Sequence, residues 1–95
     1  MPLRYDIYIG SDNGSKRLSE EYLNQILEWA DDVFPDGYTI VKSEGYSKQS
    51  REESLVMSTI SKHELEISKE IKSLKEKLGQ DAILVTRYGV EAELV

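Results

Sequence analysis

Leu3, Tyr5, Ile7 and Ile9 alternate with Arg4, Asp6 and Tyr8. A period of two marks a half-buried strand whose odd residues face a core. Residues 10–17, Gly-Ser-Asp-Asn-Gly-Ser-Lys-Arg, are turn formers throughout, so a loop follows. Ser19 suits an N-cap, and Leu18 and Leu23 suit the staple around it. Leu23, Ile26, Leu27, Ala30 and Val33 then recur at helical spacing until Pro35-Asp36-Gly37 stops the helix. Residues 38–43 are β-rich, and Glu44-Gly45-Tyr46 prolongs that strand, the glycine marking a bulge or a close backbone approach. Residues 47–52 read as a polar hairpin tip and residues 54–60 as the returning strand. Ser61-Lys62-His63-Glu64 fits a capping box opening a second helix. Its apolar stripe is Ile67, Ile71, Leu74 and Leu78, and Gly79 supplies the left-handed stop. Residues 82–86 form a fourth strand, residues 87–89 a turn, and residues 90–95 suit a short fifth strand.

The order β-α-β-β-α-β places the chain in the α+β class. It predicts a single ferredoxin-like domain over residues 1–95, an antiparallel sheet with two helices on one face. The other face, carrying Arg4, Asp6 and Tyr8, has no sequence-local element to cover it. A second copy of the chain is the commonest cover for such a face, so a homo-oligomer, a dimer or higher, is expected.

Composition narrows the chemistry. The 95 residues contain no cysteine and one histidine, which excludes disulfides, thiolate zinc sites and cysteine nucleophiles. Neither a metal nor a cofactor is expected. The longest aliphatic run, Ala82-Ile83-Leu84-Val85, is far short of a membrane span of about 20 residues. Met1-Pro2-Leu3-Arg4-Tyr5-Asp6 enters the first strand without an apolar leader, so a cytoplasmic protein is expected. Eighteen acidic against twelve basic residues give a net charge of −6, opposite to the basic footprint of proteins that hold nucleic acid or anionic lipid. A small anionic ligand held by a local cluster of cations stays open. So does an acidic surface that occupies a basic groove on another protein.

Few residues carry candidate chemistry. The Gly10–Lys16 loop joins a strand to a helix but lacks the Gly-Lys-Ser/Thr order of a phosphate loop. Backbone amides near Gly10 and Asn13, with Lys16 and Arg17, could still form an anion nest. Asp12-Asn13-Gly14 fails the alternating ligand spacing of a calcium loop. Glu53 lies opposite Gly45-Tyr46, so a carboxylate and a ring share one end of the hairpin. Six tyrosines against one phenylalanine favour half-wet surfaces. Tyr8, Tyr46 and Tyr88 lie beside glycine or basic residues, where a ring stacks on a flat ligand or anchors a dimer. With the cations Lys48, Arg51 and Arg87, these residues complete the candidate ligand-binding set.

Tyr8-Ile9-Gly10 with Asn13, Phe34-Pro35-Asp36-Gly37-Tyr38-Thr39-Ile40, Gly45-Tyr46, and Glu53-Ser54 before an aliphatic strand together resemble a group of small bacterial and phage proteins. The pattern runs from about Tyr5 to Val85. Ser47 stands where tryptophan often follows the Gly-aromatic position in that group. The resemblance implies a ferredoxin-like fold and a phage counter-defence role. The expected function is a non-catalytic oligomeric binding protein that sequesters a small anionic, nucleotide-like signal. The alternatives are an acidic inhibitor of a host protein complex and a cofactor-independent enzyme using Glu53 or His63 with a tyrosine.

Overall fold

The computed structural model describes residues 1–48 and 50–95. β1 (Leu3–Gly10) pairs with β3 (Ser50–Ser61) on one side and β4 (Leu84–Gly89) on the other, and β2 (Thr39–Ser47) pairs with β3. All pairings are antiparallel, and the strand order is β2-β3-β1-β4. β3 thus separates β1 from β2, as the split βαβ pattern of a ferredoxin-like fold requires. No helix among the described residues is long and apolar enough to cross a membrane.

The period-two reading of β1 holds for Tyr5, Ile7 and Ile9, whereas Leu3 is half-buried and Asp6, on the other face, is buried as well. Tyr5, Ile7 and Ile9 are buried and join Leu55 and Met57 of β3 beneath α1 (Glu20–Val33) and α2 (Ser68–Leu78). Ser19 caps α1, its Oγ accepting from the Tyr22 amide at 3.1 Å. The buried face of α1 is Tyr22, Ile26 and Ala30, with Phe34 just beyond the last turn. Tyr22, absent from the predicted stripe, is buried because its hydroxyl has partners at the sheet's end. Trp29 links the helices, its indole N–H donating to the Glu70 carbonyl at 3.0 Å while its ring meets Phe34 edge-on. Leu74 is the fully buried residue of α2.

Several boundaries differ from the sequence expectations. Ser61-Lys62-His63-Glu64 does not open α2. Instead β3 continues to Ser61, which pairs with Leu3, and the Ser61 hydroxyl accepts from the amide of His63, two residues on. Pairing with the full length of β1 outweighs the local capping motif. α2 therefore starts at Ser68 without a side-chain cap, and His63 lies in the connection. The C-terminal end of α2 is as expected, with Gly79 at φ 69°. Arg87-Tyr88-Gly89 is not a turn but the end of β4, paired with Tyr5, Arg4 and Leu3. Residues 90–95 form no strand. Arg51 and Glu52, expected in the hairpin tip, belong to β3, and Gln49 lies outside the described residues.

Candidate functional site

β1 ends at Gly10, directly opposite Ser54 of β3. This register brings the loop that follows β1 against the start of β3, and the two are tied together. The Glu53 amide donates to the Lys16 carbonyl at 3.2 Å, and Glu53 Oε2 accepts from the Leu18 amide at 2.7 Å. Lys16 Nζ reaches Ser50 Oγ at 3.4 Å. Between the tied segments lies a cleft of about 310 Å³ bordered by Lys16, Arg17, Glu44, Arg51, Glu52 and Glu53. It adjoins a second hollow of about 390 Å³, which also borders on Glu44 and Glu53 and extends along Leu18 and Lys42.

The carboxylates of this cleft are individually held. Glu44 accepts from the Tyr46 hydroxyl at 2.6 Å and pairs with Arg51. Those two partners, the tyrosine bond first, keep its carboxyl below the usual range, and the same bond raises the Tyr46 phenol. Glu52 accepts from Ser11 Oγ at 3.1 Å. Behind it, Gln80 Nε2 donates to the Ser11 carbonyl at 2.7 Å and to the Tyr22 hydroxyl at 2.8 Å, and Tyr22 donates to the Gly10 carbonyl at 2.6 Å. Burial raises the Tyr22 phenol, which therefore remains a donor. Such a chain of bonds polarises its members and fixes their geometry. Gly10 has room for this because a Cβ there would sit 3.3 Å from Gln80 Oε1.

The predicted site residues fall into separate groups. Lys16, Arg17, Arg51 and Glu53 line the cleft, and Tyr46 joins them through Glu44. Gly10 and Asn13 support it from behind: Asn13 Nδ2 donates to the Gly79 carbonyl at 2.9 Å, closing the end of α2. Three other amides of the loop already have acceptors within it. The Gly14 amide donates to Asp12 Oδ1, the Lys16 amide to the Asp12 carbonyl and the Arg17 amide to Ser15 Oγ, so these three are not free for an anion. Lys48 is at the exposed hairpin tip with φ 44°. Arg87 pairs with Glu64 on the helix side of β4. Tyr8 and Tyr88 lie on the sheet's other face, where Tyr88 donates to Asp6 Oδ2 at 2.9 Å.

That other face has its own polar centre. Asp6 is 5% exposed although no helix covers it. Its Oδ1 accepts from Ser58 at 2.6 Å and from Arg4 at 2.9 Å. Burial pushes the carboxyl up, but the bonds from Ser58, Arg4 and Tyr88 and the guanidinium charge outweigh it and hold the group below its ordinary value. Thr86 Oγ1, on the strand position paired with Asp6, is buried without a partner among the described residues.

Glu52, Glu44 and Gln80 were not in the predicted set. Glu44 was legible as the neighbour of Gly45-Tyr46. Nothing local marks Gln80, which reaches the site only because α2 ends beside the β1 loop.

No family model and no curated protein matches the chain in sequence. Solved structures do match. A phage SAM lyase in complex with S-methyl-5′-thioadenosine superposes with a TM-score of 0.59 at 16% identity, covering 92% of this chain and 80% of that one. A phage SAM lyase in its apo state gives 0.58 at 18% identity, covering 98% and 91%. The likeness is one of fold.

Proposed function

We propose that this chain binds S-adenosylmethionine in the cleft between the β1–α1 loop and the β2–β3 hairpin and splits it. The substrate's own carboxylate closes onto the carbon whose bond to sulfur breaks, so that S-methyl-5′-thioadenosine leaves as a neutral thioether and the amino-acid part as a lactone. The observation that carries this is the gathering in one cleft of the held carboxylates Glu44, Glu52 and Glu53 with the cations Lys16, Arg17 and Arg51. The methionine part of the ligand carries an ammonium and a carboxylate on one carbon and a sulfonium three bonds further along. A cleft of mixed sign suits that zwitterionic end better than it suits a polyanionic nucleotide signal. Tyr46, 72% exposed beside Glu44, offers a ring on which adenine can stack. The likeness of fold to a phage SAM lyase that holds S-methyl-5′-thioadenosine supports the choice of ligand. Consumption of the methyl donor would serve phage counter-defence by starving methyl-dependent host systems.

Sequestration without cleavage is a second reading, and one physical point favours it. Carboxylates around a sulfonium stabilise the bound cation, whereas cleavage leaves a neutral thioether. Binding energy of that kind tightens the complex without accelerating the reaction. Incubation with S-adenosylmethionine followed by chromatography separates the two. Steady release of S-methyl-5′-thioadenosine beyond one equivalent is expected for cleavage. Stoichiometric retention of intact ligand assigns sequestration, and neither retention nor loss removes both.

Self-association belongs to the same proposal. The open sheet face exposes Tyr8, Val41, Ile60 and Leu84 around the Asp6 centre, apolar surface that further copies would cover.

A further inference from the structure

Residues 90–94, Val-Glu-Ala-Glu-Leu, alternate apolar and acidic as a strand does, with Val95 after them, yet they belong to no strand of the sheet among the described residues. In an extended chain alternate side chains point to opposite sides. One side of this segment is therefore Val90, Ala92 and Leu94, and the other carries Glu91 and Glu93. Leu94 and Val95 are fully exposed.

At the β4 edge of the sheet a groove of about 340 Å³ runs between α2 and β4. Its floor is Ile67, Ile71, Ile83 and Val85, and Lys72 and Lys75 stand on its rim. This is the complement of the segment: an apolar floor for Val90, Ala92 and Leu94, and cations above for Glu91 and Glu93. The spacings agree. Two residues of extended chain span about 7 Å, and three residues of helix about 4.5 Å, a mismatch that flexible lysine side chains absorb.

The segment does not reach the groove of its own chain. The Val90 amide donates to the Pro2 carbonyl at 3.0 Å, one residue beyond the Leu3–Gly89 pair. Leu94 then borders a hollow with Tyr38, Val41 and Ile60, beside β2 at the opposite edge of the sheet. We propose that residues 90–95 of one copy seat in the α2–β4 groove of a second copy, Leu94 against the isoleucine floor and the two glutamates against Lys72 and Lys75.

Because the chain has no cysteine, disulfide trapping is clean. Leu94→Cys protein is mixed with Ser68→Cys protein, Ser68 being an exposed groove residue, and with Glu21→Cys protein as a control on α1. Full chains at micromolar concentration are oxidised gently, and circular dichroism confirms that each variant is folded. The Leu94–Ser68 heterodimer is expected to form about tenfold faster than the Leu94–Glu21 one, since docking raises the effective thiol concentration. Adding Lys72→Glu and Lys75→Glu to the Ser68→Cys partner should remove that advantage. Adding Glu91→Lys and Glu93→Lys to the Leu94→Cys partner should then restore it. Equal rates for the two pairs would overturn the proposal. So would ready disulfide formation within a single chain carrying both cysteines at high dilution.

Discussion

Asp6 shows how one carboxylate can be buried on an uncovered sheet face. Its donors Ser58, Arg4 and Tyr88 come from β3, β1 and β4, so the group ties three strands together. Because its folded pKa is depressed, its stabilising contribution is complete above the unfolded value of about 3.9 and is lost as the pH falls through the folded value. Asp6→Asn should cost about 1–3 kcal/mol at neutral pH, because an amide turns a hydrogen-bond donor toward donors. The same variant should flatten the stability profile below about pH 4, which chemical denaturation across pH would measure. In the cleft, Tyr46→Ala should leave stability nearly unchanged because the ring is exposed. It should weaken binding of S-methyl-5′-thioadenosine by about 1–3 kcal/mol, the usual loss of a stacking platform, as calorimetry would read. Gln80→Leu removes a donor from the Ser11 carbonyl and from the Tyr22 hydroxyl, which keeps its own bond to the Gly10 carbonyl. It should lower stability by about 1–3 kcal/mol and reduce ligand affinity through the loosened Glu52.

The elements obey their periodicity more faithfully than their local start signals. Gly79 ends α2 at φ 69°, so Gly79→Ala should cost about 1 kcal/mol in thermal or chemical unfolding, and Leu74→Ala, which empties a fully buried position, about 2–5 kcal/mol. Four strands, two helices and the sides of β1 were legible because alternation and helical spacing extend over many residues. The start of α2 was not. Ser-x-x-Glu is a short motif, and the opposing demand, a partner for Leu3 at Ser61, comes from a strand distant in sequence. The same holds at the other end, where pairing with β1 carries β4 through a Arg-Tyr-Gly stretch that reads locally as a turn. The cleft was partly legible for a related reason. Lys16 and Arg17 meet Arg51 and Glu53 once Gly10 is in register with Ser54, whereas Gln80 arrives only through helix packing.

The molecule as a whole separates two surfaces. One end of the sheet, where the β1–α1 loop meets the hairpin, holds the charged cleft, and the open face around Asp6 is the surface proposed for association. Sedimentation at micromolar concentration should find more than one copy per particle. A lone subunit would remove the role given to the open face while leaving the cleft intact. The fixed carboxylates and cations of the cleft, not the tyrosines of the open face, are where an adenosine-bearing ligand is expected to sit. Amide chemical-shift mapping with S-methyl-5′-thioadenosine tests this most directly. The largest changes should fall on residues 16–18, 44–46 and 51–53, with smaller ones at Ser11 and Gln80. Changes centred on Asp6, Tyr8 and Tyr88, or no changes at millimolar ligand, would contradict it.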